Sequence, residues 1–187
     1  MKGAGRCPAL AAALLALTAA GCSLEQPASS GAAPGGPGSE APVEGRVVSV
    51  TDGDTLRVKT GQREVAVRLI GIDTPETRKP DTPVECGGPV ATAHLEQLVA
   101  PGDRVTLRGD RSQDREDRYG RLLAYVTPQG ERQLNRGQVA AGWARVYVYD
   151  GRPFDQLEAF RAAEQGARRA GRGVWARCGG NFHRPAG

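Results

Sequence analysis

The sequence predicts an α+β domain in which five main strands form a small, closed or part-closed barrel accompanied by three helices. Three observations carry that prediction. Alternating, β-branched segments follow one another closely at 45–51, 55–59 and 64–72, with turn formers between them. Two more such segments, 104–108 and 121–127, lie further along and flank a polar, charged stretch. Apolar residues recur at helical spacing in 91–99, 134–142 and 154–170. Few residues remain between the strands, and closing such a sheet removes its unpaired edges.

Each element has a local reason. GRVVSVT at 45–51 alternates, and Asp52-Gly53-Asp54 turns the chain into TLRVK at 55–59. Thr60-Gly61-Gln62 closes a hairpin onto EVAVRLIGI at 64–72, with Val65, Val67 and Leu69 on one face and Arg68 and Ile70 on the other. Residues 80–89 are rich in turn formers and predict a loop. The helix at 91–99 sets Ala91, Leu95 and Leu98 on one stripe, and Pro101-Gly102-Asp103 ends it. RVTLR at 104–108 is a strand; 109–117 is charged; Tyr119-Gly120 turns into RLLAYVT at 121–127. Leu134, Val139 and Ala140 mark a short helix, and 144–149 is extended. The longest helix, 154–170, buries Leu157, Phe160, Ala163, Ala167 and Ala170. Glu164 borders that stripe, either as a snorkelling rim residue or as a buried carboxylate capping loop amides.

The flanks have other work. Lys2 and Arg6 precede an apolar run at 9–20 that is too short to span a bilayer and suits an export signal over 1–21. Leu17-Thr18-Ala19-Ala20-Gly21-Cys22 resembles the bacterial lipoprotein processing box, in which cleavage before the cysteine follows attachment of a diacylglycerol to its thiol. The alternative is ordinary cleavage after a small residue, giving a free secreted protein. Gly, Pro, Ser and Ala supply 16 of the 20 residues from 23 to 42, too few apolar side chains to offset ordering entropy. Residues 22–42 are thus expected to be the lipidated Cys22 and a flexible tether, 43–180 the domain, and 181–187 a C-terminal tail. The expected location is the outer side of a bacterial membrane, with the membrane itself a partner through the anchor. Of four cysteines, Cys7 leaves with the signal and Cys22 is consumed, so Cys86 and Cys178 are left to pair in an oxidising compartment.

Charge and composition exclude several classes. The net charge of +4 resides in the domain, because Lys2 and Arg6 are offset by Glu25 and Glu40. That is compatible with a polyanionic partner but far from a histone-like tail. No CxxC pair, no second histidine near His94 or His183, and no Ser–His–Asp arrangement is present, so a zinc ribbon and acyl transfer are excluded. Any metal would be a hard, oxygen-liganded one.

Two acidic clusters stand at strand ends: DGDT at 52–55 and DTPE at 73–76. Neighbouring strands of a meander can bring such ends together, and gathered carboxylates repel unless a cation holds them. Turn chemistry explains the same residues without a metal. Arg68 lies inside a strand beside Ile70 and Ile72, and Arg121 opens another; a guanidinium suits bidentate phosphate contact, or, for Arg68, an ion pair to Asp73 or Glu76. Acids, a metal and two arginines fit phosphodiester hydrolysis.

VTDGDTLRV, RLIGIDTPE and DRYGRLLAY resemble, in order and spacing, the three signature segments of the thermonuclease family, the staphylococcal-nuclease-like domains. QLNRGQVAAGWARVYVY and DQLEAFRAAEQGARRAGRGVW continue the resemblance over about 44–179. It implies a five-stranded OB-type barrel with three helices. It also implies a monomeric enzyme that uses Ca2+ to hydrolyse single-stranded DNA and RNA at the 5′ P–O bond, leaving 3′-phosphates. Carried over by motif, Asp54 and Asp73 ligate calcium through carboxylates and Thr74 through its backbone carbonyl, with Asp52 a nearby acid. Glu76 is the general base or the orienter of the attacking water. Arg68 and Arg121 bind the scissile phosphate, and Tyr119, Tyr147 and Tyr149 stack on a base or touch a terminal phosphate; barrel packing is the alternative for Tyr147. Asp117 organises the DRYG turn, and Asn135 its contact with the neighbouring helix. The loop 77–88 lacks the lysine-rich excursion of the best-known secreted member and carries Pro83-Val84-Glu85-Cys86-Gly87-Gly88 instead, as many bacterial relatives do. The competing expectation is a catalytically inactive OB-type nucleic-acid-binding lipoprotein, followed by a scaffold or adhesion lipoprotein.

Overall fold

The computed structural model describes residues 41–186. Cys22, the leader and the tether to residue 40 lie outside the described residues. No helix among the described residues is long and apolar enough to cross a membrane.

The fold is mixed α+β and built on a closed five-stranded OB-type barrel. Its strands are β1 (Val43–Asp52), β2 (Thr55–Thr60), β3 (Arg63–Leu69), β5 (Arg104–Arg108) and β6 (Leu122–Pro128), in the order β1-β2-β3-β6-β5. Closure depends on β1. Its first residues, Val43 to Arg46, pair with β5, and from Arg46 onward it pairs with β2. Register shifts between Val47 and Ser49 and between Val50 and Asp52 bend the strand, as bulges do. A parallel pairing of β3 with β6, Val67 opposite Leu122 and Leu69 opposite Ala124, joins the meander to the second half of the barrel. The alternation expected for β2 and β5 is realised: Leu56, Val58, Val105 and Leu107 point into the core with Val67, Leu69 and Val126.

The segment expected as one strand from 64 to 72 is broken. β3 stops at Leu69, and Ile72–Asp73 forms a separate strand, β4, paired with β7 (Arg145–Val146). Gly71 makes the break, with φ +77°, and a Cβ there would lie 2.5 Å from the Phe154 ring. Ile70 consequently turns inward, and its amide bonds Ala124. The extended stretch expected at 144–149 is likewise confined to β7, and Tyr149–Gly151 follows as a single 3-10 turn.

Four α-helices occur among the described residues, where three were expected: α1 (Gly88–Leu98), α2 (Leu134–Ala140), α3 (Leu157–Arg169) and α4 (Val174–Arg177). The fourth is a single turn, too short for periodicity to reveal. It belongs to a small second core in which Val174, Cys178 and Phe182 pack with Cys86, Trp143 and Trp175. The expected disulfide joins Cys86 to Cys178 across a Cα separation of 6.0 Å. On α3, Leu157, Phe160 and Ala167 are buried while Ala170 is exposed. The open question at Glu164 resolves toward capping: its carboxylate accepts the Val146 amide at 2.8 Å and so holds β7 against α3.

Candidate active site

The turn between β1 and β2 starts the site. Asp52 accepts the Asp54 amide at 3.2 Å, the short-range bond that makes an Asp-Gly-Asp sequence a turn. Gly53 lets this turn press on the second acidic cluster, since a Cβ there would meet Thr74 Oγ1 at 2.8 Å. Gln138 Nε2 on α2 donates to the Gly53 carbonyl at 2.6 Å and to Ala91 at 2.9 Å, tying the turn to two helices. Asp54 is thereby buried, with Thr55 Oγ1 donating to one oxygen at 3.0 Å and the Thr74 amide to the other at 3.3 Å.

Register then delivers the first arginine. Arg68 stands opposite Thr55 on β3, next to Asp54. Its Nη1 lies 2.9 Å from Asp54 Oδ2, and its Nη2 3.7 Å from Asp73 Oδ1. Nη1 also donates to the Ile72 carbonyl at 3.0 Å. One guanidinium therefore stands between the two carboxylates, and the ion pair expected with Asp73 or Glu76 is made with Asp54 and Asp73. Asp73 in turn faces Arg145 across β4 and β7, at 2.9 Å from Nη2 and 3.0 Å from Nε.

Arg121 approaches from the DRYG turn. Asp117 shapes that turn by accepting the amides of Tyr119 and Arg121 at 2.9 and 3.0 Å. The same carboxylate receives Arg121 Nε at 2.7 Å and Nη2 at 2.6 Å. The remaining nitrogen, Nη1, reaches Thr55 Oγ1 at 3.4 Å, so one hydroxyl separates Arg121 from Asp54. Asn135 lies on α2 and ties that helix to the barrel, its side chain accepting the Val126 amide and donating to the Ile70 and Ala124 carbonyls.

Glu76 is half-buried and bonded to the chain that follows it. Its Oε1 accepts three successive amides, from Thr77, Arg78 and Lys79, at 2.8, 2.9 and 3.0 Å. All three tyrosines are outward-facing, with exposures of 67% for Tyr119, 40% for Tyr147 and 50% for Tyr149. Barrel packing therefore does not account for Tyr147. Tyr147 and Tyr149 lie together with ring centroids 6.5 Å apart, and the guanidinium groups of Arg118 and Arg121 cover Tyr119.

The electrostatics are those of crowded acids. Burial and the Asp54 charge push the Asp52 carboxyl up to about 7. Burial and Asp54 also raise Asp73, against the pull of Arg68 and Arg145. At Asp117, bonds from Arg121 and two amides outweigh burial and hold the carboxyl below its ordinary range. Among the described residues no three His, Cys, Asp or Glu side chains converge as a metal cluster. The oxygen donors near one another are the carboxylates of Asp54 and Asp73, which share the Arg68 guanidinium. Those donors are hard, and a cation beside them would offset the Asp54 charge that adds to burial in raising Asp52 and Asp73.

Residues 66–177 match the profile of the family described as Staphylococcal nuclease homologue. The chain belongs to that family. It is 36% identical over 140 residues to Endonuclease YncB of Bacillus subtilis (strain 168), a match covering 72% of this chain and 64% of YncB. Over 131 residues it is 35% identical to Thermonuclease of Staphylococcus hyicus, covering 70% of this chain and 74% of that protein. Against Thermonuclease of Staphylococcus intermedius it is 41% identical over 103 residues, covering 55% of this chain and 59% of that protein. Membership supports a hydrolytic enzyme of the nuclease type.

Four residues of this nuclease-family domain take part in the site without having been singled out from the sequence: Gln138, Arg145, Glu85 and His183. Arg145 had a signal, because a charge opening an ARVYVY strand parallels Arg68 in its own strand. Gln138 had none, since a polar residue in a short helix reads as solvated. Glu85 lies in a turn-rich loop, and its carboxylate receives the Glu76 amide at 2.7 Å. His183 lies in the segment set aside as a tail, and its ring stands 3.0 Å from Glu85 and 3.6 Å from Asp73.

Proposed function

We propose that the chain is a calcium-dependent nuclease that hydrolyses phosphodiester bonds of single-stranded DNA and RNA, breaking the 5′ P–O bond and leaving 3′-phosphates. The observation that carries this is the arrangement around Arg68, where Asp54 and Asp73 share one guanidinium and Thr55 links Asp54 to Arg121. Asp54, Asp73 and the Thr74 carbonyl are the residues that would hold calcium, with Asp52 beside them, and water would complete its shell. When bound, the cation supplies charge stabilisation to a phosphoryl oxygen.

The chain's own groups do the rest. Arg68 and Arg121 offer planar donors to the non-bridging oxygens, and their charge offsets what develops in the pentacoordinate transition state. Both are already oriented by carboxylates, Arg68 by Asp54 and Asp73 and Arg121 by Asp117, so little side-chain freedom is lost when phosphate binds. Glu76 orients the attacking water or takes its proton. Tyr147 and Tyr149 are exposed and can stack on an unpaired base, while Tyr119, covered by the Arg118 and Arg121 guanidinium groups, can touch a terminal phosphate. Such stacking favours single strands, whose bases are free.

The reading extends to location: export directed by residues 1–21, a diacylglycerol on Cys22, and a tether that holds a monomeric domain outside the cytoplasm. The mass of the mature N-terminal peptide tests this, and an unmodified cysteine or a start elsewhere refutes it. For the activity, end groups of digested single-stranded DNA are analysed with calcium and with chelator. We expect 3′-phosphate ends that appear only with calcium. Absence of calcium-stimulated cleavage by folded, disulfide-intact protein overturns the proposal, and retained DNA binding in that sample identifies a binding module instead.

A further inference from the structure

We infer that Glu85 is a positioning residue for Glu76 and that His183, from the segment 181–186, holds Glu85 in place. The inference rests on the nuclease reading above and adds to it two residues of the site.

The geometry begins at Glu76. Its amide donates to Glu85 Oε2 at 2.7 Å, and its carbonyl accepts the Glu85 amide at 2.9 Å. Both main-chain groups of Glu76 are thus held by one residue nine positions along the chain. Gly88 closes the other side: a Cβ there would lie 2.9 Å from the Glu76 carbonyl oxygen and 3.0 Å from that of Pro75. The peptide carrying Glu76 is clamped between the Glu85 side chain and the first turn of α1.

A carboxylate that is only 8% exposed needs a donor for each oxygen. Glu76 supplies one, and His183 Nδ1 supplies the other to Oε1 at 3.0 Å. Because a carboxylate accepts, Nδ1 carries the proton, and Nε2 faces Asp73 Oδ2 at 3.6 Å. The imidazole therefore stands between the acid proposed to hold the cation and the residue that fixes the proposed base.

The main chain around His183 is held, while its side chain is 50% exposed. Its own amide bonds the Asn181 side chain at 3.0 Å. The segment pairs with the loop through one isolated β-bridge, Glu85 opposite Pro185, with Cys86 N donating to Arg184 O at 2.6 Å and Ala186 N to Val84 O at 2.8 Å. Phe182 is 3% exposed and packs edge-on to Trp175, and the Cys86–Cys178 disulfide ties the loop to the chain just before this segment. Neighbours held in this way fix the main chain from which His183 presents its ring to Glu85.

The test compares Glu85→Ala, Glu85→Gln and His183→Ala in the full chain with wild type, using a single-stranded DNA oligonucleotide and calcium, at a temperature where circular dichroism shows every variant folded. Amide exchange at Glu76, followed by NMR, reads the clamp independently of activity. We expect Glu85→Ala to lower kcat about 10- to 100-fold with KM changed less than about twofold, and to speed exchange at Glu76 while barrel amides keep their protection. Glu85→Gln keeps a carbonyl oxygen for the Glu76 amide and restores most of kcat and of the protection. His183→Ala shifts both readouts in the direction of Glu85→Ala, by less. A cleaving wild type whose kcat survives Glu85→Ala overturns the inference, as does an equal loss in Glu85→Ala and Glu85→Gln. A folded wild type that does not cleave overturns the nuclease reading itself, a result distinct from either.

Discussion

Reducing the Cys86–Cys178 bond should lower stability by an amount set by the loop it closes. The two cysteines are 92 positions apart, so the link constrains more than half of the described chain in the unfolded state. A loop of that length loses closure entropy worth about 4.6 kcal/mol at 25 °C. Unfolding entropy of roughly 2.1 cal/mol/K per residue over the 146 described residues gives ~0.3 kcal/mol/K, so the expected fall in Tm is about 15 °C. The small core around Val174, Cys178 and Phe182 should loosen as well, since Cys86 belongs to it. The assay is thermal melting by calorimetry with and without reductant, and with Cys86→Ala/Cys178→Ala as a reductant-free control. Thiol titration in denaturant confirms that two additional thiols appear on reduction. If they do and Tm moves by less than about 3 °C, loop entropy is not what this bond contributes, and the reasoning fails.

Other perturbations test the site and the fold. Arg68→Ala and Arg121→Ala should each lower kcat for single-stranded DNA by about 10²–10³-fold, read from initial rates on folded protein. Asp110 accepts bonds from Ser112, Tyr125 and the Asp155 amide, which outweigh its burial and hold its carboxyl below the ordinary range. Its contribution is therefore present above the unfolded value of 3.8 and lost as pH falls through the depressed folded one. Asp110→Asn should cost about 1.5–3 kcal/mol at pH 7, with the gap to wild type narrowing below about pH 4 in urea titrations; a constant gap refutes the assignment. Gly71→Ala forces a Cβ into the Phe154 ring at a backbone angle of +77° and should destabilise by about 1–3 kcal/mol in chemical denaturation.

Much of the fold and of the site is written locally. Alternation in β2 and β5 states which side chains face inward, and the DGDT and DRYG turns carry their own bonds within a few residues. Such features need no distant partner, so pattern and turn chemistry reveal them. Where β3 ends is different: Gly71 breaks the strand because Phe154, more than eighty positions away, occupies the space a side chain would need. Arg145 becomes the partner of Asp73 only because β4 pairs β7, and Arg121 reaches Thr55 only after β3 and β6 close the barrel in parallel. Glu85 and His183 meet beside a disulfide and an isolated β-bridge across a separation of 98 positions. Residue pattern encodes which way a chain segment faces, a property of neighbours a few positions apart. Which faces meet depends on how the whole barrel closes and packs, so the orientation of the acids and arginines around one another was decided in three dimensions.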